Sequence, residues 1–83
     1  MLTAKKIRCL VIDDEPLARE MLKQHIAGVE SLELAGVCSN AIEATNFLKD
    51  HPVDLLFLDI QMPQLLGTNF IRTLKSPPKV IFT

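Results

Sequence analysis

Short apolar runs alternate with amphipathic stretches along this chain. Three apolar runs occupy Ile7–Ile12, Leu32–Cys38 and Asp54–Asp59, and a fourth occupies Lys79–Thr83. These runs are too short for helices, and they are rich in β-branched and large apolar residues, which predicts strands. In Leu55–Leu58 four large apolar side chains follow one another without polar alternation, so this strand is expected to be covered on both faces, as in parallel sheets.

The stretches between the strands have the three- and four-residue spacing of helices. The first, Leu17–Val29, follows Asp14, a suitable N-cap, and Pro16, which suits a first helical turn. The second opens with Asn40 and Glu43, the spacing of a capping box.

A third, short helix is predicted to begin at Gly67 and to end before the prolines of "SPP". The order βαβαβαβ predicts an α/β fold with a parallel sheet and helices on both faces. The chain contains no linker or repeat, so residues 1–83 are expected to form one domain. Gly36, inside the second strand, predicts close packing of a neighbouring element.

Composition and charge exclude several classes of protein. Hydrophobic residues make up 48% of the chain and the mean hydropathy is +0.24, so a packed core is expected and a disordered tail is not. The net charge of −1 gives no excess of positive charge that would favour binding to nucleic acid or to a membrane surface. No apolar run is long enough to span a membrane or to act as a signal peptide. Cys9 and Cys38 lie too far apart for a redox or zinc motif, so buried cytoplasmic thiols are expected.

Acidic residues follow two of the predicted strands. Asp13 and Asp14 end the first strand, Asp59 ends the third and Thr83 ends the fourth. The carboxyl ends of parallel strands share one edge, so three carboxylates are expected to meet there if strands one and three are neighbours. Such a cluster suits Mg²⁺, and an Asp beside that ion can accept a phosphoryl group. Two plainer interpretations stay open: Asp13 and Asp14 cap the helix, or Asp59 is a turn residue.

The motifs "LVIDDEP", "LLFLDIQMP" with Gly67, and "VIFT" resemble the receiver domain of two-component response regulators. The segments "IDDEPLARE" and "FLDIQMPQLLG" are most similar to receivers of LytTR-type DNA-binding regulators. The resemblance implies a flavodoxin-like fold, with the strand order 2-1-3-4 of a complete 2-1-3-4-5 sheet. It also implies cytoplasmic signalling, with a sensor histidine kinase as partner and no enzymatic turnover of an external substrate.

The resemblance also implies roles for particular residues. Asp59 would be the phosphoacceptor, and Thr83 would sense the phosphoryl group. Asp13, Asp14 and Asp59 would hold Mg²⁺, together with the backbone carbonyl of Gln61.

A complete receiver of this family continues through a helix, a fifth strand with an essential lysine, and a final helix. No residue here matches that lysine, and the LytTR-type output domain has no counterpart either. We therefore expect a truncated receiver whose phosphorylation is impaired. We also expect it to self-associate as a dimer, through the apolar edge of the fourth strand or by exchange of elements.

Other functions fit the residues less well. Phosphohydrolases of the haloacid dehalogenase type carry a second Asp two residues after the nucleophile, where this chain has Gln61. A dinucleotide-binding domain would need a glycine-rich turn in place of "DDEPLARE". A purely structural or dimerisation module, unable to accept phosphate, remains the alternative.

Overall fold

The computed structural model describes residues 5–59 and 78–83 of the chain. In that part the elements are β1 (Ile7–Ile12), α1 (Pro16–Ala27), β2 (Leu32–Cys38), α2 (Ala41–Asp50), β3 (Leu55–Leu58) and β4 (Lys79–Phe82). The predicted third helix, Gln61 and Gly67 lie outside the described residues. Neither of the two described helices has the length and apolar character needed to cross a membrane.

The four strands form one parallel sheet in the order β2-β1-β3-β4, which confirms the predicted order. The register between β1 and β2 shifts between Cys9 and Leu10, so that Cys9 lies opposite Leu34 while Leu10 lies opposite Gly36. The central strand β1 is fully buried from Cys9 to Ile12. The continuous apolar run therefore reflects a strand with a layer of side chains on each face.

Each face of the sheet carries its own core cluster. On the first face, α2 covers side chains of β1 and β3, and the cluster contains Leu10, Ile12, Cys38, Ala44, Leu56 and Leu58. On the second face, α1 contributes Ile26 to a cluster with Cys9 and Val11. Both cysteines are free, as expected, and they belong to different clusters.

Gly36 allows α2 to lie close to the sheet. A Cβ atom added at Gly36 would lie 2.7 Å from the Cε2 and Cζ atoms of Phe47 and 3.4 Å from Cδ1 of Leu10. The Phe47 ring also stacks on His51, with ring centroids 4.1 Å apart. The predicted close approach at Gly36 is therefore confirmed.

The helix ends agree with the sequence at α2 and differ from it at α1. Asn40 accepts a hydrogen bond from the backbone N–H of Glu43 at 2.8 Å, which confirms the predicted cap. The prediction of Asp14 as the N-cap of α1 is wrong: the cap is Glu15, whose carboxylate accepts from the N–H of Leu17 at 3.3 Å. The backbone N–H of Glu15 is itself held by the carboxylate of Asp13, which sets where the helix begins.

The amphipathic stripe predicted for the first helix is only partly buried. Ile26 is buried, whereas Met21 is 54% exposed and Val29, beyond the end of α1, is 44% exposed.

At the amino edge of the sheet, Arg8 joins three strands. Its Nη1 atom lies 2.7 Å from Glu33 Oε2 on β2, and its backbone N–H donates to Asp54 Oδ2 at 2.9 Å, just before β3. Its Nε donates to the carbonyl of Pro52 at 2.7 Å. The strands are thus tied at the end opposite to the acidic residues.

Candidate functional site

The site lies at the carboxyl edge of the sheet. There the residue that directly follows each of β1, β3 and β4 still makes a backbone hydrogen bond to the neighbouring strand. The N–H of Asp13 donates to Cys38 O at 3.1 Å, and the N–H of Asp59 donates to Ile12 O at 3.1 Å. The N–H of Thr83 donates to Leu58 O at 2.9 Å. Because these bonds fix the main chain, Asp13, Asp59 and Thr83 follow one another along the edge.

Three carboxylates meet at this edge, as the sequence predicts. Asp13, Asp14 and Asp59 each offer an oxygen, and these oxygens all lie within 4.8 Å of one another. Asp13 is buried at 4% exposure, Asp59 is half-buried and Asp14 is exposed. The cluster therefore combines one desolvated acid with two that solvent reaches more easily.

Burial raises the pKa of Asp13, and the nearby carboxylates of Asp59 and Asp14 raise it further. The hydrogen bond from the N–H of Glu15 to Asp13 Oδ1, 2.9 Å long, acts in the opposite direction. The rise in pKa means that the negative charge of Asp13 is disfavoured in the folded protein. A cation bound between the carboxylates would reverse that effect.

Arg19 contacts the site, although the sequence analysis did not identify it. Its Nη1 atom donates to the backbone carbonyl of Asp13 at 2.8 Å. Arg19 lies six residues after Asp13, in the first turns of α1, and such a position indicates proximity to the end of β1. A contact to a backbone carbonyl leaves no pattern of residue types that would single it out.

The described part of the chain brings most of the predicted site residues to this edge of the sheet. Asp13, Asp14 and Asp59 come together, and the backbone of Thr83 adjoins β3 one residue before Asp59. Thr83 is exposed. Gln61 lies outside the described residues.

A scan against family models matches residues 9–83 to the response regulator receiver domain. Among curated proteins, the transcriptional regulatory protein BtsR of Salmonella typhi is 41% identical over 78 residues, which is 92% of this chain and 33% of that protein. An uncharacterized response regulatory protein of Shewanella oneidensis is 42% identical with the same coverage. The chain thus spans about a third of the length of these relatives.

Solved structures agree with this match. The response regulator domain of Thermotoga maritima CheB superimposes with a TM-score of 0.83 and 30% identity, covering 94% of this chain and 60% of that one. A structure of the P1 domain of CheA3 in complex with CheY6 from R. sphaeroides also gives 0.83, at 28% identity, covering 95% of this chain and 64% of that one. The sheet order, the acidic edge and these matches lead to one conclusion: the chain belongs to the response regulator receiver domain family.

Proposed function

We propose that this receiver domain is a magnesium-dependent phosphoacceptor and that Asp59 carries the phosphoryl group. The observation that supports this most directly is the convergence of three carboxylates within 4.8 Å, one of them buried with a raised pKa. A protein gains no stability from such repulsion, so a ligand that uses it is the simplest explanation.

The donor set of the cluster fits Mg²⁺. Its atoms are carboxylate oxygens, the hard ligands that this ion prefers, and two of the three acids are accessible enough to leave room for water. Asp13, Asp14 and Asp59 would hold the ion, with the backbone carbonyl of Gln61 as a further ligand by resemblance to the family. When bound, the ion supplies positive charge beside the phosphoryl oxygens.

We assign the role of nucleophile to Asp59 by resemblance to the phosphoacceptor of the family. Its main chain is fixed by the bond from its N–H to Ile12 O, and it is half-buried at the end of the rigid strand β3. A carboxylate oxygen of Asp59 would attack phosphorus while the bond from phosphorus to the donor's leaving group breaks, giving an acyl phosphate. Thr83, whose backbone adjoins β3, would then hydrogen-bond to the phosphoryl oxygens and sense them.

The phosphoryl donor is proposed to be a sensor histidine kinase. The solved complex of a CheA3 P1 domain with CheY6, to which this chain is similar, supports a partner of that kind. Similarity to the transcriptional regulatory protein BtsR supports a role in a transcriptional regulator. The resemblance of the motifs to LytTR-type regulators adds the proposal that a LytTR-type domain is responsible for DNA binding. The domain would act in the cytoplasm, where its two free buried thiols stay reduced, and it would not turn over an external substrate.

One observation favours a second candidate, a structural or dimerisation module that does not accept phosphate. Ile81 and Phe82 on β4, the edge strand of the described sheet, are 45% and 48% exposed. Exposed apolar residues on a sheet edge favour association. The acidic cluster has no part in that role.

The two candidates are separated by intact-mass spectrometry after incubation with acetyl phosphate, with and without Mg²⁺. We expect a phosphoryl adduct that requires Mg²⁺, persists in Asp50→Asn and is absent in Asp59→Asn. Asp50 is the matched control, because it is an exposed acid at the end of α2, away from the cluster. If the folded protein gives no adduct, or if Asp59→Asn gives the same adduct, the phosphoacceptor proposal is wrong.

A further inference from the structure

Arg19 is a cation placed directly behind the acidic edge. It belongs to α1 and is half-buried, and its Nη1 atom lies 2.8 Å from the backbone carbonyl of Asp13. Lys23, one turn later on the same helix, instead pairs with Glu20 at 3.4 Å. The chain therefore offers two cations on one helix, of which Arg19 has a described contact with the proposed magnesium ligands.

The contact from Arg19 is one of three that fix Asp13. The N–H of Asp13 donates to Cys38 O on β2, and its carboxylate Oδ1 accepts from the N–H of Glu15. The bond from Arg19 to the carbonyl of Asp13 is the third. A residue held at its donor, its acceptor and its side chain has little freedom to turn, so its second carboxylate oxygen keeps one direction.

The charge of Arg19 also acts on the second helix. The pKa of Glu43 is lowered by its hydrogen bonds from the N–H and hydroxyl of Ser39, and the charge of Arg19 adds to that effect. Ser39 directly follows Cys38, and the carbonyl of Cys38 accepts a hydrogen bond from the N–H of Asp13. Hydrogen bonds thus join the start of α2 to the end of β2 and the end of β2 to Asp13, while Arg19 acts on Glu43 through its charge.

Arg19 can affect the binding of a cation in two opposite ways. As a positive charge, the guanidinium repels a divalent ion, so its removal would tighten binding. As a donor that orients the main chain of a ligand, it favours binding, so its removal would weaken binding. The bond from the guanidinium goes to the main-chain carbonyl of Asp13, so this bond fixes the residue without occupying its carboxylate oxygens.

We infer that Arg19 is a positioning residue for magnesium binding, which acts by holding the backbone of Asp13. This inference rests on the proposed function, because it assumes that the acidic edge binds Mg²⁺. The orienting effect exceeds the repulsion, because the Asp13 main chain is contacted directly whereas the charge of Arg19 is partly screened by solvent. Replacement of Arg19 therefore weakens magnesium binding.

The test is a magnesium titration followed by the NMR shifts of the backbone amides of Asp13, Asp14 and Asp59, in the protein without phosphate. We expect Arg19→Met to weaken Mg²⁺ binding about tenfold, at the lower end of the range for residues that orient metal ligands. Arg19→Lys keeps a cationic donor at this position and should restore part of the affinity. Lys23→Met removes a charge from the same helix and should leave the affinity within about twofold of wild type.

The direction of the change in Mg²⁺ affinity tests the positioning role of Arg19. Unchanged or tighter binding in Arg19→Met overturns the positioning role, since a pure charge effect predicts that direction. Circular dichroism verifies folding, and Arg19→Gln, which also removes the charge, gives the same reading if the Met variant does not fold. If wild type shows no magnesium-dependent shifts at the three acids, both the proposed function and this inference fail. If wild type binds and the Arg19 variants bind equally well, only the inference fails.

Discussion

Replacing Asp13 by Asn should stabilise the protein in the absence of a divalent ion. No pair of oxygens in the cluster is more than 4.8 Å apart, and at that distance two charges repel by about 0.9 kcal/mol in water or about 3.5 kcal/mol at an effective dielectric of about 20. Asp13 takes part in two such pairs. Because Asp14 is exposed and Asp59 is half-buried, solvent screens both pairs in part. We therefore take their combined repulsion as about 3 kcal/mol, between the two limits.

The substitution also weakens one favourable contact. Asn can still accept from the N–H of Glu15, but without the charge that strengthens the bond, which costs about 1 kcal/mol. The expected net gain is then about 1 to 2 kcal/mol, and for a domain of this size each kcal/mol raises the melting temperature by about 4–8 °C. Thermal unfolding followed by circular dichroism at neutral pH, with a chelator present, measures this gain.

The pH dependence gives an independent check on the cause. The pKa of Asp13 is raised above its ordinary value of 3.8, chiefly by burial. Between 3.8 and the raised folded value, the folded protein binds more protons than the unfolded chain, so stability falls as pH rises through that window. The advantage of Asp13→Asn should therefore be small below pH 3.8, where both states are protonated, and complete at neutral pH.

Magnesium should reverse the ranking of the two proteins. Wild type should be stabilised by added Mg²⁺, because the ion binds the folded state, whereas Asp13→Asn should respond much less. Glu30→Gln, an exposed acid before β2, is the control and should shift stability by less than about 0.5 kcal/mol. The reasoning is refuted if Asp13→Asn is less stable than wild type in chelator, or if its advantage does not change with pH.

Two further predictions concern packing and the sheet edge. Gly36→Ala should destabilise the fold by about 1–3 kcal/mol, because the new Cβ would lie 2.7 Å from the Phe47 ring; Gly28→Ala meets only atoms at 3.5 Å or beyond and should be nearly neutral in urea unfolding. Adding Phe47→Leu should recover part of the loss at Gly36, and equal effects of the two glycine substitutions would contradict this account. The 83-residue polypeptide should self-associate in sedimentation at tens of micromolar through its β4 edge, and Ile81→Lys should reduce that association. A wild-type polypeptide that sediments as a monomer would exclude it.

The sequence predicts the sheet well because burial on both faces leaves a direct record. A strand such as β1, with four consecutive fully buried side chains, admits no polar alternation, so its run of apolar residues is continuous. The meeting of the acids at the carboxyl edge follows once β1 and β3 are adjacent, an order that the family resemblance implies and the structure confirms. No side-chain geometry is needed to predict that Asp13 and Asp59 meet.

Features decided by competition between neighbouring polar groups are harder to predict. Asp14 is a better N-cap by residue type. However, the carboxylate of Asp13 accepts a hydrogen bond from the N–H of Glu15, and Glu15 is the N-cap of the helix. Arg19 donates to a main-chain carbonyl, which every residue possesses, so its partner leaves no trace in the sequence. Such contacts depend on where a side chain ends, which the spacing of residues does not specify.

The ladder bonds that reach Asp13, Asp59 and Thr83 have a consequence for motion. The bonds of Asp13 and Asp59 join the central strand β1 to its two neighbours, so exchange of these two amide protons is expected to require those strands to separate. The bond of Thr83, by contrast, lies at the end of the edge strand β4 and can open by itself. The main chain at Asp13 and Asp59 is therefore expected to keep its position while side chains at this edge move. Any change of state at this edge has to be transmitted by side-chain rotation or by segments beyond the strands.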